Sequence, residues 1–298
     1  MAECDRCGAR AVYNRRYCGQ RLCRDHFLSY IEARFRRTVK AQKIFERGEK
    51  VGVALSGGKD SSALLYLLSQ LSMGLELHPI AIDEGIAGYR SHGLEAARAL
   101  CFQLGLELHT VSFRERLGHT LDEMVGRGGG YAGCTYCGVF RRRLLNDAGR
   151  ELGLSKIATG HNLDDEAQAV MMNYIRGDVE RLLRFGAPGD LGLLPRVKPL
   201  QEVPEKEVAI YALLRELPVS LEECPYARDA FRLGIRDFIN GLELANPGIK
   251  YSILQGYKRL LPHLATYPRT AVKKCGACGE PTPNLLCKAC ELLGALSE

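Results

Sequence analysis

The run VALSGGKDSS, residues 53–62, constrains the fold of this chain more than any other feature. Before it stands KVGVALS (50–56), a short β-branched segment of the kind that forms a buried strand. After it comes KDSSALLYLLSQL (59–71), a helix opened by Asp60, Ser61 and Ser62. Gly57 and Gly58 allow a tight turn in which backbone N–H groups face an anion. The helix N-terminus adds partial positive charge, Lys59 adds a full one, and Ser56 and Ser61 offer hydroxyl donors. Ligands of open α/β sheets bind at such a place, beyond the carboxyl end of a strand. The loop is not a Walker A loop, because Val53 stands where that pattern needs its first glycine and Asp60 follows the lysine.

Strands and helices then alternate. LELHPIAID (75–83), LELHTVSF (106–113) and LSKIATG (154–160) read as strands; SHGLEAARALCFQLG (91–105), VFRRRLLNDAGRELG (139–153) and DDEAQAVMMNYIRG (164–177) read as helices. This spacing predicts an α/β fold built on a doubly wound parallel sheet with right-handed crossovers. Two further strings fall at strand ends beside the glycine turn. IDEGIAGYR (82–90) carries Asp83, and GHNLDDEAQ (160–168) carries Gly160, His161, Asp164 and Asp165, the two acids being suited to orient magnesium or to cap the next helix. Residues 28–47 read as an amphipathic helix on Ile31, Phe35, Val39 and Ile44, stopped by Gly48. Residues 126–133 (GRGGGYAG) read as a mobile loop, and helical patterns return at 202–217, 226–242 and 249–265 after a Pro- and Gly-rich stretch. The chain divides into a metal-held module (1–27), a linker helix (28–49), the α/β domain (50–220), a helical extension (221–270) and a second metal-held module (271–298).

Twelve cysteines are many for a chain whose N-terminus, MAECDRCGAR, does not read as a secretory signal and which has no run of about 18 apolar residues. A cytoplasmic, reducing setting is expected, and it favours metal binding or catalysis over disulfides. Cys275-x2-Cys278-x8-Cys287-x2-Cys290 is the pattern of a zinc ribbon or knuckle. At the other end, Cys4-x2-Cys7 pairs with Cys23-x2-His26 on what read as two tight turns, with Cys18 the competitor for the fourth position. Cys101 falls in a helix and reads as core. Cys134, Cys137 and Cys224 remain. Cys134 and Cys137 lie between the glycine loop and a helix, and Cys224 lies in a loop. Three thiolates leave one coordination position open. That suits a catalytic zinc, a 4Fe–4S cluster with one iron bare, or a redox dithiol, and spacing does not choose among them.

The net charge of +6 is modest, but basic runs (Arg34, Arg36, Arg37; Arg141, Arg142, Arg143; Lys273, Lys274) lie beside the cysteine motifs and point to an RNA-binding surface.

SGGKDS resembles the PP-loop of N-type ATP pyrophosphatases. Together with IDEGIAGYR, CTYCGVFRR, GHNLDDEAQ and both terminal modules, it makes the chain similar to the tRNA 2-thiouridine synthetase family over Cys4 to Cys290. CTYCGVFRR and the CKAC ending look closer to the archaeal and eukaryotic wobble-uridine branch than to the related T-loop thiolases, where Lys often stands at the place of Arg141. The resemblance implies that ATP and Mg²⁺ are bound at Ser56, Gly57, Gly58, Lys59, Asp60, Ser61 and Ser62, with Asp83, Gly160, His161 and Asp165 around them. It implies adenylation of a uridine C2 oxygen in tRNA, and its replacement by sulfur delivered on a 4Fe–4S cluster held by Cys134, Cys137 and Cys224. Catalytic roles then fall to those cysteines, Asp60, Arg141 and Asp165, and two Zn²⁺ to the terminal quartets. The implied partners are tRNA and a sulfur donor, either a ubiquitin-like thiocarboxylate carrier or free sulfide; no membrane is involved, and a homodimer is left open. T-loop thiolation is the alternative target, and an inactive zinc-ribbon scaffold that binds tRNA is the alternative from another class.

Overall fold

The chain enters through an antiparallel ribbon, β1 (Tyr13–Arg15) and β2 (Gln20–Leu22), followed by α1 (Arg24–Ala41). The computed structural model describes residues 2–127, 130–186, 193–227, 230–264, 267 and 270–297. Parts of the glycine loop at 126–133, of the Pro- and Gly-rich stretch and of the 226–242 helical pattern lie outside the described residues.

Helix α1 begins and ends earlier than the 28–47 predicted from periodicity. Extended Cys23 (φ −73°, ψ 174°) is its N-cap, so the helix starts inside the cysteine module. At the other end Lys43 takes φ +48°, a left-handed conformation that ends the helix and turns Ile44 and Phe45 into the core. Phe27, Ile31 and Phe35, four residues apart, form its buried stripe.

The central unit runs β3 (Lys50–Ala54), α2 (Lys59–Ser69), β4 (Glu76–Asp83), α3 (Arg90–Leu104), β5 (His109–Ser112), α4 (Phe113–Leu117), α5 (Leu121–Gly126), α6 (Gly133–Glu151), β6 (Lys156–Ala158), α7 (Leu163–Ile175), α8 (Val179–Gly186), β7 (Arg196–Val197) and α9 (Glu205–Leu214). Among the described residues its sheet has five strands in the order β5-β4-β3-β6-β7, and every neighbouring pair is parallel. The sequence pattern contained four of them. The fifth, β7, is two residues long and too short to carry an alternation. The chain leaves β3 toward β5 on one side and returns to β6 on the other. The order therefore reverses beside β3, and the crevice at the carboxyl ends of β3 and β6 is where such sheets take ligands.

Apolar groups pack on both faces. One face joins Val51, Val53, Leu64, Leu65 and Leu68 to Phe27, Ile31 and Phe35 of α1 and to Tyr211 of α9. The other joins Ile80, Ile82, Phe113, Phe140, Leu144 and Ile157 to Leu292. The remaining elements are α10 (Ala230–Ala245), α11 (Ile249–Leu260) with a 3₁₀ turn after it (Leu261–Leu264), the ribbon β8 (Lys273–Lys274) and β9 (Pro281–Thr282), and α12 (Lys288–Ser297), which carries Leu292. No described helix is long and apolar enough to cross a membrane.

Candidate functional site

The glycine turn between β3 and α2 is pressed against its neighbours from two sides. Gly57 has φ +84°, and a methyl group there would lie 1.9 Å from the carbonyl oxygen of Gly93 on α3. A methyl on Gly160 would lie 2.9 Å from the backbone of Asp60 and Ser61. Only glycine permits either approach. Gly58 is the N-cap of α2 and no side chain caps the helix, so its first amides are left for an anion. The serines brace the turn. Ser61 Oγ accepts from Ser56 N at 3.1 Å and donates to Gly58 O at 3.0 Å, while Ser56 Oγ accepts from Gly58 N at 3.3 Å. Ser62, predicted to bind nucleotide, is fully buried in α2 and has no surface to offer a ligand, because its position in the helix turns it into the core.

Lys59 Nζ lies 2.8 Å from Asp60 Oδ2 and 2.9 Å from Glu205 Oε1 at the start of α9. Burial pulls the Lys59 pKa down, but the two carboxylates outweigh it and the net direction is up. Burial pushes Asp60 above the usual carboxylate range despite Lys59 and Asn162, and the nearby charge of Asp165 adds to this. Asn162 joins the two segments. Its Nδ2 donates to Asp60 Oδ1 at 3.1 Å, and its Oδ1 accepts from the amides of Asp164 and Asp165 as the N-cap of α7. Asp165 returns the capping bond to Asn162 N at 3.2 Å and meets Arg232 at 2.9 Å. Asp164 is taken up by Lys250 on α11 and by the amide of Glu205, so its role is to fix α9 and α11 on α7. Asp60 and Asp165 thus supply the hard oxygen donors a magnesium ion takes. Asp83 ends β4 and accepts from Gly85 N at 3.0 Å. His161, hydrogen-bonded to Thr159 Oγ1 at 2.8 Å, keeps solvent contact. Even so, crowding by protein and then the cations Lys198, Arg232, Arg141 and Arg196 hold its pKa down to about 4, so it is neutral at physiological pH.

Cys134 and Cys137 do not precede a helix. They sit in the first two turns of α6, which extends back to Gly133 with extended Ala132 as its N-cap. The segment with Cys224 is drawn to the same place by several contacts. Ser220 N donates to Gly57 O at 2.8 Å, Glu222 meets His92 at 2.7 Å, and Tyr226 Oη donates to Asp122 at 2.7 Å. Cys134 Sγ donates to the carbonyl of Tyr226 at 2.9 Å, and the Tyr226 ring packs on Gly133. Cys137 and Cys224 are close enough to interact electrostatically; burial, opposed by Arg141, pushes Cys137 up to about 11. Arg141 is hydrogen-bonded to Cys137 and lies 3.2 Å from Glu84. Buried Glu84 is 2.8 Å from Arg90, whose Nη1 donates to Ser56 O at 2.6 Å. A line of charges therefore runs from a thiol to the glycine turn. Glu84 and Arg90 stood within the IDEGIAGYR string but were not singled out there. Glu205, Ser220 and Tyr226 carry no sequence signal at all.

Among the described residues, two groups bring four ligand atoms within 4.8 Å of one another: Cys4, Cys7, Cys23 and His26, and Cys275, Cys278, Cys287 and Cys290. Four ligands on a tetrahedral zinc with Zn–S bonds near 2.3 Å stand about 3.8 Å apart. The contacts Cys7–Cys23 at 3.7 Å, Cys23–His26 at 3.3 Å and Cys278–Cys287 at 3.6 Å fit that spacing. Backbone amides of Cys287 and Cys278 bring Cys275 down to about 6, toward the thiolate a metal needs. Cys18 is exposed and outside the quartet, and His26 completes it from the first turn of α1 rather than from a tight turn. Among the described residues, Cys134, Cys137 and Cys224 do not gather within the 4.8 Å that each terminal quartet keeps. Cys101 is buried and pushed up to about 11 by burial alone, a core thiol.

Residues 29–240 match the PP-loop domain family model, and residues 3–28 match the N-terminal LIM domain of the 2-thiouridine synthetase TtuA. The chain is 37% identical to the tRNA 2-thiolation protein NcsA of Haloferax volcanii over 99% of both chains. It is 40% identical to the cytoplasmic tRNA 2-thiolation protein 1 of Bos taurus, over 99% of this chain and 88% of the relative. Its fold is similar to that of the U34-tRNA thiolase NcsA from Methanococcus maripaludis, solved with its [4Fe-4S] cluster. The TM-score is 0.85 and the identity 37%, covering 98% of this chain and 95% of that one.

Proposed function

The chain belongs to the tRNA 2-thiolation family of PP-loop proteins, and from that premise we propose that it replaces the C2 oxygen of the anticodon wobble uridine with sulfur at the expense of ATP. It is an enzyme, a tRNA sulfurtransferase. The observation that carries the reading is the bond from Ser220 N to Gly57 O. It ties the loop bearing Cys224 to the nucleotide turn, so activation and sulfur delivery share one crevice.

The uncapped amides of α2 and Lys59 hold the triphosphate, with Lys59 leaving Glu205 to do so. Asp60 and Asp165 hold Mg²⁺ against it. The uridine C2 oxygen attacks the α-phosphate, pyrophosphate departs, and the oxygen becomes part of a good leaving group, AMP. Cys134, Cys137 and Cys224 would hold a 4Fe–4S cluster, which when bound leaves one iron without a protein ligand and supplies a seat for sulfide. Arg141 lies between Cys137 and Glu84 and offers positive charge where negative charge develops. Neutral His161 adds no competing charge. The terminal quartets hold one structural Zn²⁺ each. The wobble target is supported by likeness to the U34 thiolase. Free sulfide and a thiocarboxylate carrier both fit as donors, and a cytoplasmic setting fits the named relatives.

The test is anaerobic incubation of metal-loaded protein with ATP, Mg²⁺, sulfide and an unmodified tRNA transcript, followed by nucleoside mass spectrometry. The expected product is 2-thiouridine at the wobble position with one AMP per sulfur. Sulfur found only in the T-loop would overturn the target, and no sulfur with unchanged ATP would overturn the reaction.

A further inference from the structure

The basic run Arg141–Arg143 is divided by the fold. Arg141 is engaged by Glu84 and Cys137. Arg143 is engaged by Asp147 at 2.7 Å and by Cys278 Sγ at 3.0 Å. Arg142 between them meets no carboxylate among the described residues. Its side chain folds back over Gly138, where a methyl group would stand 3.5 Å from Nη1, and so lies one residue from Cys137. A second arginine arrives from a distant part of the chain. Arg196 on β7 reaches across to donate to the backbone carbonyl of Arg142 at 2.8 Å and to Asn146 Oδ1 at 3.0 Å, while its Nε is buried without a partner. Arg196 likewise meets no carboxylate among the described residues. Arg181 on α8 adds its field to that of Arg142, although it is itself paired with Asp178.

Arg196 thus brings its guanidinium to the backbone of Arg142, and no carboxylate among the described residues offsets either charge. Protein around Arg196, and then repulsion from Arg142, bring its pKa down to about 10; Arg142 is lowered by the same crowding and by Arg181 and Arg141. An arginine pair of this kind is relieved by an anion that presents several oxygens, and guanidinium forks suit phosphate. Arg142 is exposed, so the ligand comes from solution. Two phosphates are at hand in the reaction, those of ATP and those of RNA. Arg142 adjoins Cys137 on α6, on the thiol side of the crevice, whereas the uncapped amides of α2 already serve the triphosphate.

We propose that Arg142 and Arg196 together form a seat for one backbone phosphodiester of the substrate RNA, fixing the strand next to the target uridine over the Cys137 end of the crevice. This rests on the thiolase reading and adds a defined contact to it.

The experiment measures binding of an unmodified tRNA transcript to the metal-loaded protein across a salt series, for wild type, Arg142→Gln, Arg196→Gln and the double variant. Arg47→Gln, an exposed charge just before the amino end of the central strand β3, is the control. One lost phosphate contact lowers the magnitude of the log–log salt slope by about 0.7–0.9. Each single variant is expected to lose about that much, and the double variant no more than one contact's worth, because both arginines serve the same phosphate. ATP affinity without RNA should be unchanged. Additive loss of two contacts, an unmoved slope in Arg142→Gln, or a slope change matched by Arg47→Gln would each overturn the seat. Weakened ATP binding without RNA would reassign it to the nucleotide. Arg142 is exposed and its replacement keeps the test valid even if Arg196→Gln disturbs β7. If wild-type protein makes no thiouridine yet loses its slope in these variants, the thiolase reading fails and the seat stands; thiouridine formation with an unmoved slope means the reverse.

Discussion

The terminal cysteine quartets and the internal trio use the same Cys-x2-Cys unit and reach opposite results. Each quartet closes within a short stretch, residues 4–26 or 275–290, and its ligand atoms stand within 4.8 Å of one another. The trio takes two thiols from the first two turns of α6 and a third from a segment 87 positions further on (224 − 137), and among the described residues these thiols do not gather within 4.8 Å of one another. A closed quartet leaves a metal no open position and can only hold the chain together. A trio of thiols would leave a coordination position open on what it holds, and the segment bearing Cys224 is tied to the nucleotide turn through Ser220.

The comparison breaks first at Cys224. Cys224→Ala should reduce thiolation to background while zinc content stays at two per chain, as read by metal analysis and nucleoside mass spectrometry; undiminished thiouridine would remove the trio from the reaction. Lys59→Ala should slow tRNA-dependent AMP formation by about 10²–10³-fold, the cost typical of losing a preorganised charge at a reacting phosphate, with iron content unchanged. Glu84→Gln sharpens the link between the two halves of the site: a drop of about 10–100-fold in thiolation, the usual effect of removing a group that orients a metal's surroundings, with ATP affinity retained. Equal loss of ATP affinity would mean that Glu84 only supports the turn. Cys275→Ser should cost one zinc per chain and expose the C-terminal module to protease, with ATP–pyrophosphate exchange falling by no more than about threefold, because a structural ion acts through the module it folds. The smallest effect belongs to Asn162→Ala, which removes a helix cap worth about 1 kcal/mol and should lower the melting temperature by about 2 °C.

Four of the five sheet strands and the helices that follow them were readable because burial imposes a period on the sequence, and the glycine turn was readable because its chemistry is local. Periodicity misplaced α1 for an equally local reason: a left-handed Lys43 interrupts a pattern that Ile44 continues in the sequence. The start of α6 was misread because small and polar residues around Cys134 give no periodic signal, although they are helical. Ser62 shares its string with the nucleotide turn, yet a single helical step carries it into the core.

By itself the sequence determined the C-terminal quartet, three of the four N-terminal ligands, the phosphate-facing turn and the family, since each depends on residues close together in the chain or on a match along all of it; the structure chose His26 over Cys18. Only the tertiary structure decided which distant groups meet: Glu205 with Lys59, Ser220 with Gly57, Cys134 with Tyr226, and Arg196 with Arg142. Such pairs form because the parallel sheet reverses its order beside β3 and brings loops far apart in the chain to one edge, and no local pattern of residue types encodes that distance.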